Sequence, residues 1–411
     1  MKLRINVPYI LFIIYFYFFI FDPLLESWVP LAGYADELVA VAAIPIFAVN
    51  VIRERGIIRI IGDKWWLFII LFLCIGFIGN VVYQYQPLLQ IAAPDLFLCT
   101  KFWLAIYTGK NIFSRLNIPR FAEKIFFHIR LVTWLFAILI VLDQVFEIFE
   151  TTVRYGIRST TLFYGHPTIF AAKCVLLIGI LLSISPHLKR YSHYFIFILF
   201  LMCTTLRSKA FGAVFIFGFI HYNVLVRRKK INLKAFLFLI PIILLIAWDQ
   251  IEYYFFGSMQ SDSARYQLTI KAFSIAKDHF PLGSGFGTFA SFFSSVQYSP
   301  LYYKYQLFFV NGLRKGAAYF ISDSFWPMIL GQTGWFGLFF MASAMVCLLL
   351  YIQRTRKNYP AYNASCLCMF LYLLISSVAE AAFVHSIAIP LAIWLGALLQ
   401  KSSKKKYDSK K

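Results

Sequence analysis

Apolar stretches bounded by charges, Pro or Gly recur at about 7–21, 33–52, 65–85, 87–108, 125–148, 161–183, 191–206, 210–226, 234–251, 324–353, 361–379 and 381–400. A helix crossing a bilayer needs about 20 mostly apolar residues, so the pattern predicts about twelve transmembrane helices. The weakest stretches are 87–108, which carries Asp95 and Lys101, and the short 191–206. The first, Val7 to Phe21 behind Lys2 and Arg4, superficially resembles a signal peptide. Asp22-Pro23 ends it without a small-residue cleavage site, so it reads as a retained helix. No unit repeats with a period of about 20–50 residues.

Composition removes the soluble alternatives. Of 411 residues, 61% are hydrophobic and 14% charged, and mean hydropathy is +0.72. Soluble domains are about 45–50% apolar and about 25% charged, so a soluble enzyme, a disordered chain and a secreted disulfide scaffold are excluded. The seven cysteines all fall in apolar runs, where a thiol behaves as a small hydrophobe. Cys366 and Cys368 have no nearby His or second Cys pair to complete a metal site, and no disulfide framework is expected.

The charge of +21 comes from 39 Lys and Arg against 18 Asp and Glu. With the N-terminus inside and the spans alternating, 26 of the 39 basic residues fall in inside segments, including Arg227-Arg228-Lys229-Lys230 and the lysine-rich tail. Asp22, Glu26, Asp143, Glu147, Glu150, Asp249, Glu252, Asp262, Asp278 and Asp323 fall outside. This bias predicts cytoplasmic N- and C-termini and makes the charge topological, with no nucleic-acid partner. The expected organisation is nine spans in 1–251, a large extracytoplasmic loop at 252–323, three spans in 324–400 and a basic cytoplasmic tail at 401–411.

A connection as long as 252–323 is usually functional. It is rich in Phe and Tyr, its first half reads as an amphipathic helix from Ser261 to Lys277 behind a Ser-Asp-Ser cap, and Pro281-Leu-Gly-Ser-Gly-Phe-Gly287 is a turn. A small folded cap on the outer membrane surface is expected. The glycines lack a preceding strand, and a dinucleotide fingerprint is rejected.

Ionisable groups in or beside apolar runs mark candidate sites. Arg207 and Lys209 occupy a tight turn between two spans, where they either hold an anionic headgroup or snorkel. His166 and Lys173 share a helix face, and Asp95 is a possible partner for the lysine. Arg265, Arg314 and Lys315 are further outer cations. Asp323 is either a helix cap or a base facing a cavity.

Three segments in order resemble the O-antigen polymerase and ligase family of bacterial envelope glycan synthesis, over roughly 160–345. They are Thr204-Thr-Leu-Arg-Ser-Lys-Ala-Phe-Gly212, Arg265-Tyr-Gln-Leu-Thr-Ile-Lys-Ala-Phe with His279-Phe-Pro-Leu-Gly-Ser-Gly-Phe-Gly-Thr-Phe289, and Asp323-Ser-Phe-Trp-Pro-Met-Ile-Leu-Gly-Gln-Thr-Gly-Trp-Phe-Gly337. Ligases of the group usually carry His at the position of Asp323, a departure that suits a polymerase of capsule or exopolysaccharide type.

The resemblance implies an all-α polytopic membrane protein, GT-C-like, in the bacterial cytoplasmic (inner) membrane. It implies glycosyl transfer between polyprenyl-diphosphate-linked oligosaccharides, amid membrane lipids and with a flippase and chain-length regulator as possible partners. Arg207, Arg265, Arg314, Lys209 and His166 are then the candidates for the diphosphate, with Asp323 and His279 as first and second candidate bases. No Asp-x-Asp lies in the outer segments, so no metal or cofactor is expected. A glycan ligase and a lipid-linked oligosaccharide flippase are the alternatives, the latter drawing on Lys173 and Asp95 but lacking two-fold internal similarity.

Overall fold

The computed structural model describes residues 6–54, 63–228, 252, 263–355 and 359–408. Its elements are almost all helical: α1 (Val7–Ile20), α2 (Asp22–Trp28), α3 (Ala35–Val41), α4 (Ala43–Glu54), α5 (Trp65–Tyr83), α6 (Ala93–Ile112), α7 (Ile118–Phe146), α8 (Pro167–Ile184), α9 (Tyr191–Cys203) and α10 (Ser208–Ile220). After these come α11 (Ala264–Asp278), α12 (Phe292–Val296), α13 (Pro300–Lys304), α14 (Phe325–Thr355), α15 (Pro360–Ser376) and α16 (Ala388–Asp408). One two-residue hairpin, β1 (Val153–Arg154) with β2 (Ile157–Arg158), precedes α8.

Helix starts follow local chemistry. Asn6 and Asn117 accept the Tyr9 and Arg120 amides at 3.3 and 3.2 Å, and a proline follows each cap. His166 caps α8 through Nδ1, which accepts the Thr168 amide at 3.3 Å, and Pro167 follows. Proline lacks only an amide that the first helical turn leaves unpaired anyway.

The protein is a multi-pass membrane protein. Among the described residues seven helices are long and apolar enough to cross a bilayer, or eight if α1 and α2, bent by 83° at Phe21, form one span. Tyr191–Cys203, Pro360–Ser376 and Ala388–Gln400 are apolar but shorter. The expected span at 234–251 lies outside the described residues. Helix α8 is buried on all sides and packs on α15, while α6 packs on α16 and α5 on α14. Its hydrophobicity runs around the whole circumference, as a central helix requires.

Two buried lysines are paired. Lys173 Nζ reaches Asp22 at 2.5 Å and donates to the Phe19 carbonyl at 2.8 Å. Its partner is therefore Asp22 and not Asp95, because the bend after α1 turns the Asp22 carboxylate back onto α8. Lys101 reaches both Asp36, at 2.5 Å, and Glu37, at 3.1 Å.

The segment after α11 departs from the surface cap expected of it. Residues 281–289 are driven into the bundle, with Phe286 and Phe289 fully buried and Phe286 edge-on to Phe72 of α5. Phe286 also lies against Gly76, seven residues in from the Tyr83 end of α5, or roughly 10 Å deep at about 1.5 Å per residue. Irregular backbone at such depth requires every amide and carbonyl to find a protein partner.

The neighbouring helices supply those partners. Asn80 takes both backbone groups of Phe286, accepting its N–H at 2.7 Å and donating to its carbonyl at 2.8 Å. Asp95 accepts the Gly287 amide at 2.7 Å, and Gln332 donates to the Phe289 carbonyl at 2.9 Å. Within α14, Gly334 breaks the helical geometry at φ 63° and ψ −166°. The Gly331 and Gln332 carbonyls just before that break accept the amides of Ser284 and Gly285 at 3.1 and 2.8 Å. Gly285 has φ +96°, and a Cβ there would come within 2.7 Å of Asn80. Only glycine suits both the left-handed backbone and the close approach.

Candidate functional site

One end of the bundle gathers charge from four separate places in the chain. The first is the turn between α9 and α10. Thr204 and Thr205 close the end of α9 by donating to the Leu201 and Met202 carbonyls at 2.7 and 2.8 Å. The stretch after the hairpin latches this turn from outside, with the Thr160 amide on the Thr204 carbonyl at 3.0 Å and Ser159 Oγ on the Thr205 carbonyl at 2.7 Å. Leu206 adopts φ +51°, and Arg207 then stands as the residue capping α10. Its half-buried side chain therefore projects from a backbone fixed on both sides.

Lys209, in the first turn of α10, forms an ion pair with Glu380 at 2.6 Å, in the short link between α15 and α16. Arg265, in the first turn of α11, reaches Asp323 at 3.2 Å. The two pairs belong to one field: the charges acting on Lys209 are those of Glu380, Arg207 and Arg265. Those acting on Asp323 are Arg265, Glu380 and Lys209. Among the described residues, Arg207, Lys209 and Arg265 thus share a half-buried, partly desolvated lip with the carboxylates of Glu380 and Asp323.

His166, at the start of α8, lies beside this group and keeps its outer edge in solvent. Its pKa is pushed down to about 4, first by burial and then by the charges of Arg207 and Lys209, so the ring is neutral at pH 7. Burial raises the Asp323 carboxyl above its usual range, and the Arg265 guanidinium opposes that rise. Burial also lowers His385, which feels Glu380, Lys101, Asp36 and Lys209.

Of the residues singled out from the sequence, Arg207, Lys209, Arg265, Asp323 and His166 come together. His279 and Arg314 do not. His279 Nδ1 donates to the Ile275 carbonyl at 2.8 Å and Nε2 accepts from the Tyr85 hydroxyl at 2.9 Å, at the end of α11 away from Asp323. Both ring nitrogens are engaged, and the ring packs edge-on against Tyr83. Arg314 is exposed and donates to the Phe309 carbonyl at 3.2 Å within its own turn. Neither is among the largest influences on Asp323, Lys209 or His166.

The sequence reading overlooked Glu380 and His385. Glu380 sits between two apolar stretches and His385 inside the second, so the rule that flagged Lys173 would have found them. Among the described residues no three His, Cys, Asp or Glu side chains converge as a metal ion would need.

No protein-family model matches the chain, and no curated protein matches it significantly. Function therefore has to be argued from this cluster and from the motifs that build it.

Proposed function

We propose that the protein is a polysaccharide polymerase, a glycosyltransferase that moves a growing glycan from its polyprenyl diphosphate carrier onto the next lipid-linked repeat unit. The reaction takes place at the outer leaflet of the bacterial cytoplasmic membrane, with both termini on the cytoplasmic side. The observation that carries this reading is the convergence of Arg207, Lys209 and Arg265, from two separate chain segments, around one half-buried lip.

The chemistry follows from the leaving group. An acceptor hydroxyl oxygen bonds to the anomeric carbon while the bond from that carbon to the diphosphate oxygen breaks. The electron pair stays on phosphate, so negative charge grows there as the bond opens. Fixed cations in a place poor in water stabilise that growing charge most, and losing one such donor costs about 10²- to 10³-fold in rate. Arg207 and Arg265 offer planar forks that match phosphate oxygens, and Lys209 adds a point charge. Three side-chain cations so placed do the work a divalent ion would otherwise do, and the proposed reaction runs without one.

The hydroxyl proton passes to Asp323. Burial raises its pKa, which makes it a stronger base than an ordinary carboxylate, and the Arg265 guanidinium opposes that rise. His166, neutral and at the edge of the cluster, is free to accept a hydrogen bond without adding charge.

A flippase was the main competing reading, and it drew on intramembrane Lys173 and Asp95. Both now have structural employment, the lysine on Asp22 and the aspartate on the Gly287 amide. The test is genetic and biochemical. Cells lacking the gene should accumulate single repeats outside and lose long chains, and Arg207→Ala or Arg265→Ala should do the same with the protein still in the membrane. Normal chain length in both variants removes the proposal.

A further inference from the structure

Beside the cationic lip lies a cleft of about 370 Å³ that none of the roles above uses. That volume is within the range of about 300–1,000 Å³ typical of small-molecule sites. Its walls include Asp36, Glu37, Lys101, Asp95, Ser291, Phe292 and His385. Two of the carboxylates share one ammonium, since Lys101 Nζ lies 2.5 Å from Asp36 and 3.1 Å from Glu37. The Asp36–Glu37–Lys101 triad therefore sets two carboxyl groups, themselves within hydrogen-bond reach of each other, against a single ammonium.

His385 stands between the two regions. It lines the cleft, and the charges acting on it come both from Asp36 and Lys101 inside and from Glu380 and Lys209 at the lip. Phe292 is 56% exposed and lines the cleft wall beside the buried Ser291. Carboxylate oxygens accept hydroxyl protons, and an open aromatic face takes the C–H side of a pyranose ring.

We infer that this cleft seats the acceptor sugar, through its hydroxyls on the Asp36–Glu37 side and its apolar face on Phe292, and that the ring seated there is neutral or an amino sugar, not a uronic acid. The inference rests on the polymerase reading for the word acceptor. A uronate carboxylate would meet two carboxyl groups whose single cation is already shared between them, whereas a hydroxyl-rich ring meets acceptors and an aromatic platform. The geometry also divides the labour: phosphate goes to the cationic lip, sugar to the acidic cleft, and His385 lies where the two meet.

The experiment uses the full chain in nanodiscs. The probe is repeat-unit oligosaccharide released by mild acid from the cells' own lipid-linked pool, so that it carries neither lipid nor phosphate. Saturation-transfer NMR reads its affinity and shows which ring contacts the protein. Phe292→Ala and Glu37→Gln should each weaken binding at least tenfold, while Arg207→Ala should leave it within about twofold of the parent. Melting temperatures of the variants separate lost binding from lost folding, and Phe292→Ala removes only an exposed ring. No binding to the parent protein overturns the inference, as do unchanged affinity in both cleft variants and an Arg207→Ala loss equal to theirs. Saturation concentrated on a carboxylate-bearing ring overturns the charge assignment. Chain length in Arg207→Ala cells tests the polymerase reading separately, so the two ideas fail in different measurements.

Discussion

Removing Asp22 should damage the protein more than removing the lysine it pairs with. Lys173 keeps only 2% of its side chain exposed, and apart from Asp22 its ammonium donates to the Phe19 carbonyl. Asp22 Oδ2 lies 2.5 Å away, but its side chain is 30% exposed at the bend between α1 and α2. Asp22→Leu therefore strands a buried ammonium, which costs about 3–5 kcal/mol. Lys173→Met leaves a carboxyl group that is partly exposed, though its Oδ1 is buried without a partner, and that can take up a proton at the bend, so the loss is smaller, about 1.5–3 kcal/mol. The double variant removes both charges, and an apolar replacement of a buried pair is often close to neutral.

The order of stability should thus be parent, double variant, Lys173→Met and then Asp22→Leu. Melting of each protein in detergent, followed by fluorescence-detected gel filtration, reads this order directly. The double variant should also make long glycan chains, because the pair holds the fold and does not touch substrate. If Asp22→Leu melts no lower than Lys173→Met, or the double variant melts with the worse single, the assignment of this pair is wrong.

Further outcomes are expected. Arg207→Ala should lower transfer between purified lipid-linked repeats by about 10²- to 10³-fold without lowering the melting temperature, and added chelator should leave the parent rate unchanged. The transfer rate should fall on the acid side at a pH above the ordinary carboxylate value of about 3.9, because burial raises Asp323 and the base works ionised. Arg265→Gln removes the charge that opposes the rise, so the acid limb of its residual activity should move to higher pH. In histidine-labelled protein His166 should titrate near about 4, and a value near 6.5 would show that the ring does not face Arg207 and Lys209. Its depressed pKa favours the neutral ring, so its contribution to stability is full above the unfolded value near about 6.5 and is lost as pH falls towards about 4. Asn80→Leu should destabilise by about 2–6 kcal/mol, since it leaves both buried backbone groups of Phe286 unpaired at about 1–3 kcal/mol each.

The helices were legible because a spanning segment announces itself in its own residues, and the apolar runs at 65–85, 125–148 and 324–353 match long helices. The inward path of 281–289 was not legible in the loop itself. Its glycines say that the backbone turns; only Asn80, Asp95 and Gln332, on three other helices, say that it turns into the bundle. Polar side chains inside apolar runs carried that signal without naming their partners. The same holds for Lys173, whose partner Asp22 is 151 residues away and is set by a bend, not by spacing. Arg207, Lys209, Arg265 and Asp323 could be named from motif and charge, yet their ion pairs required Glu380 and the fold. His279 and Arg314 had the right chemistry in the sequence and the wrong surroundings in space.

The inserted glycine segment has a mechanical consequence for the charged lip. Arg265 precedes it and Asp323 follows it, so both ends of this stretch are tethered to a wedge keyed into α5, α6 and α14. The segment cannot swing away as a hinged lid without breaking the backbone hydrogen bonds held by Asn80, Asp95 and the opened turn of α14. Gly76 and Gly331 pack on Phe286 and Phe289, so a larger side chain at either would press on the wedge from which both flanking stretches leave.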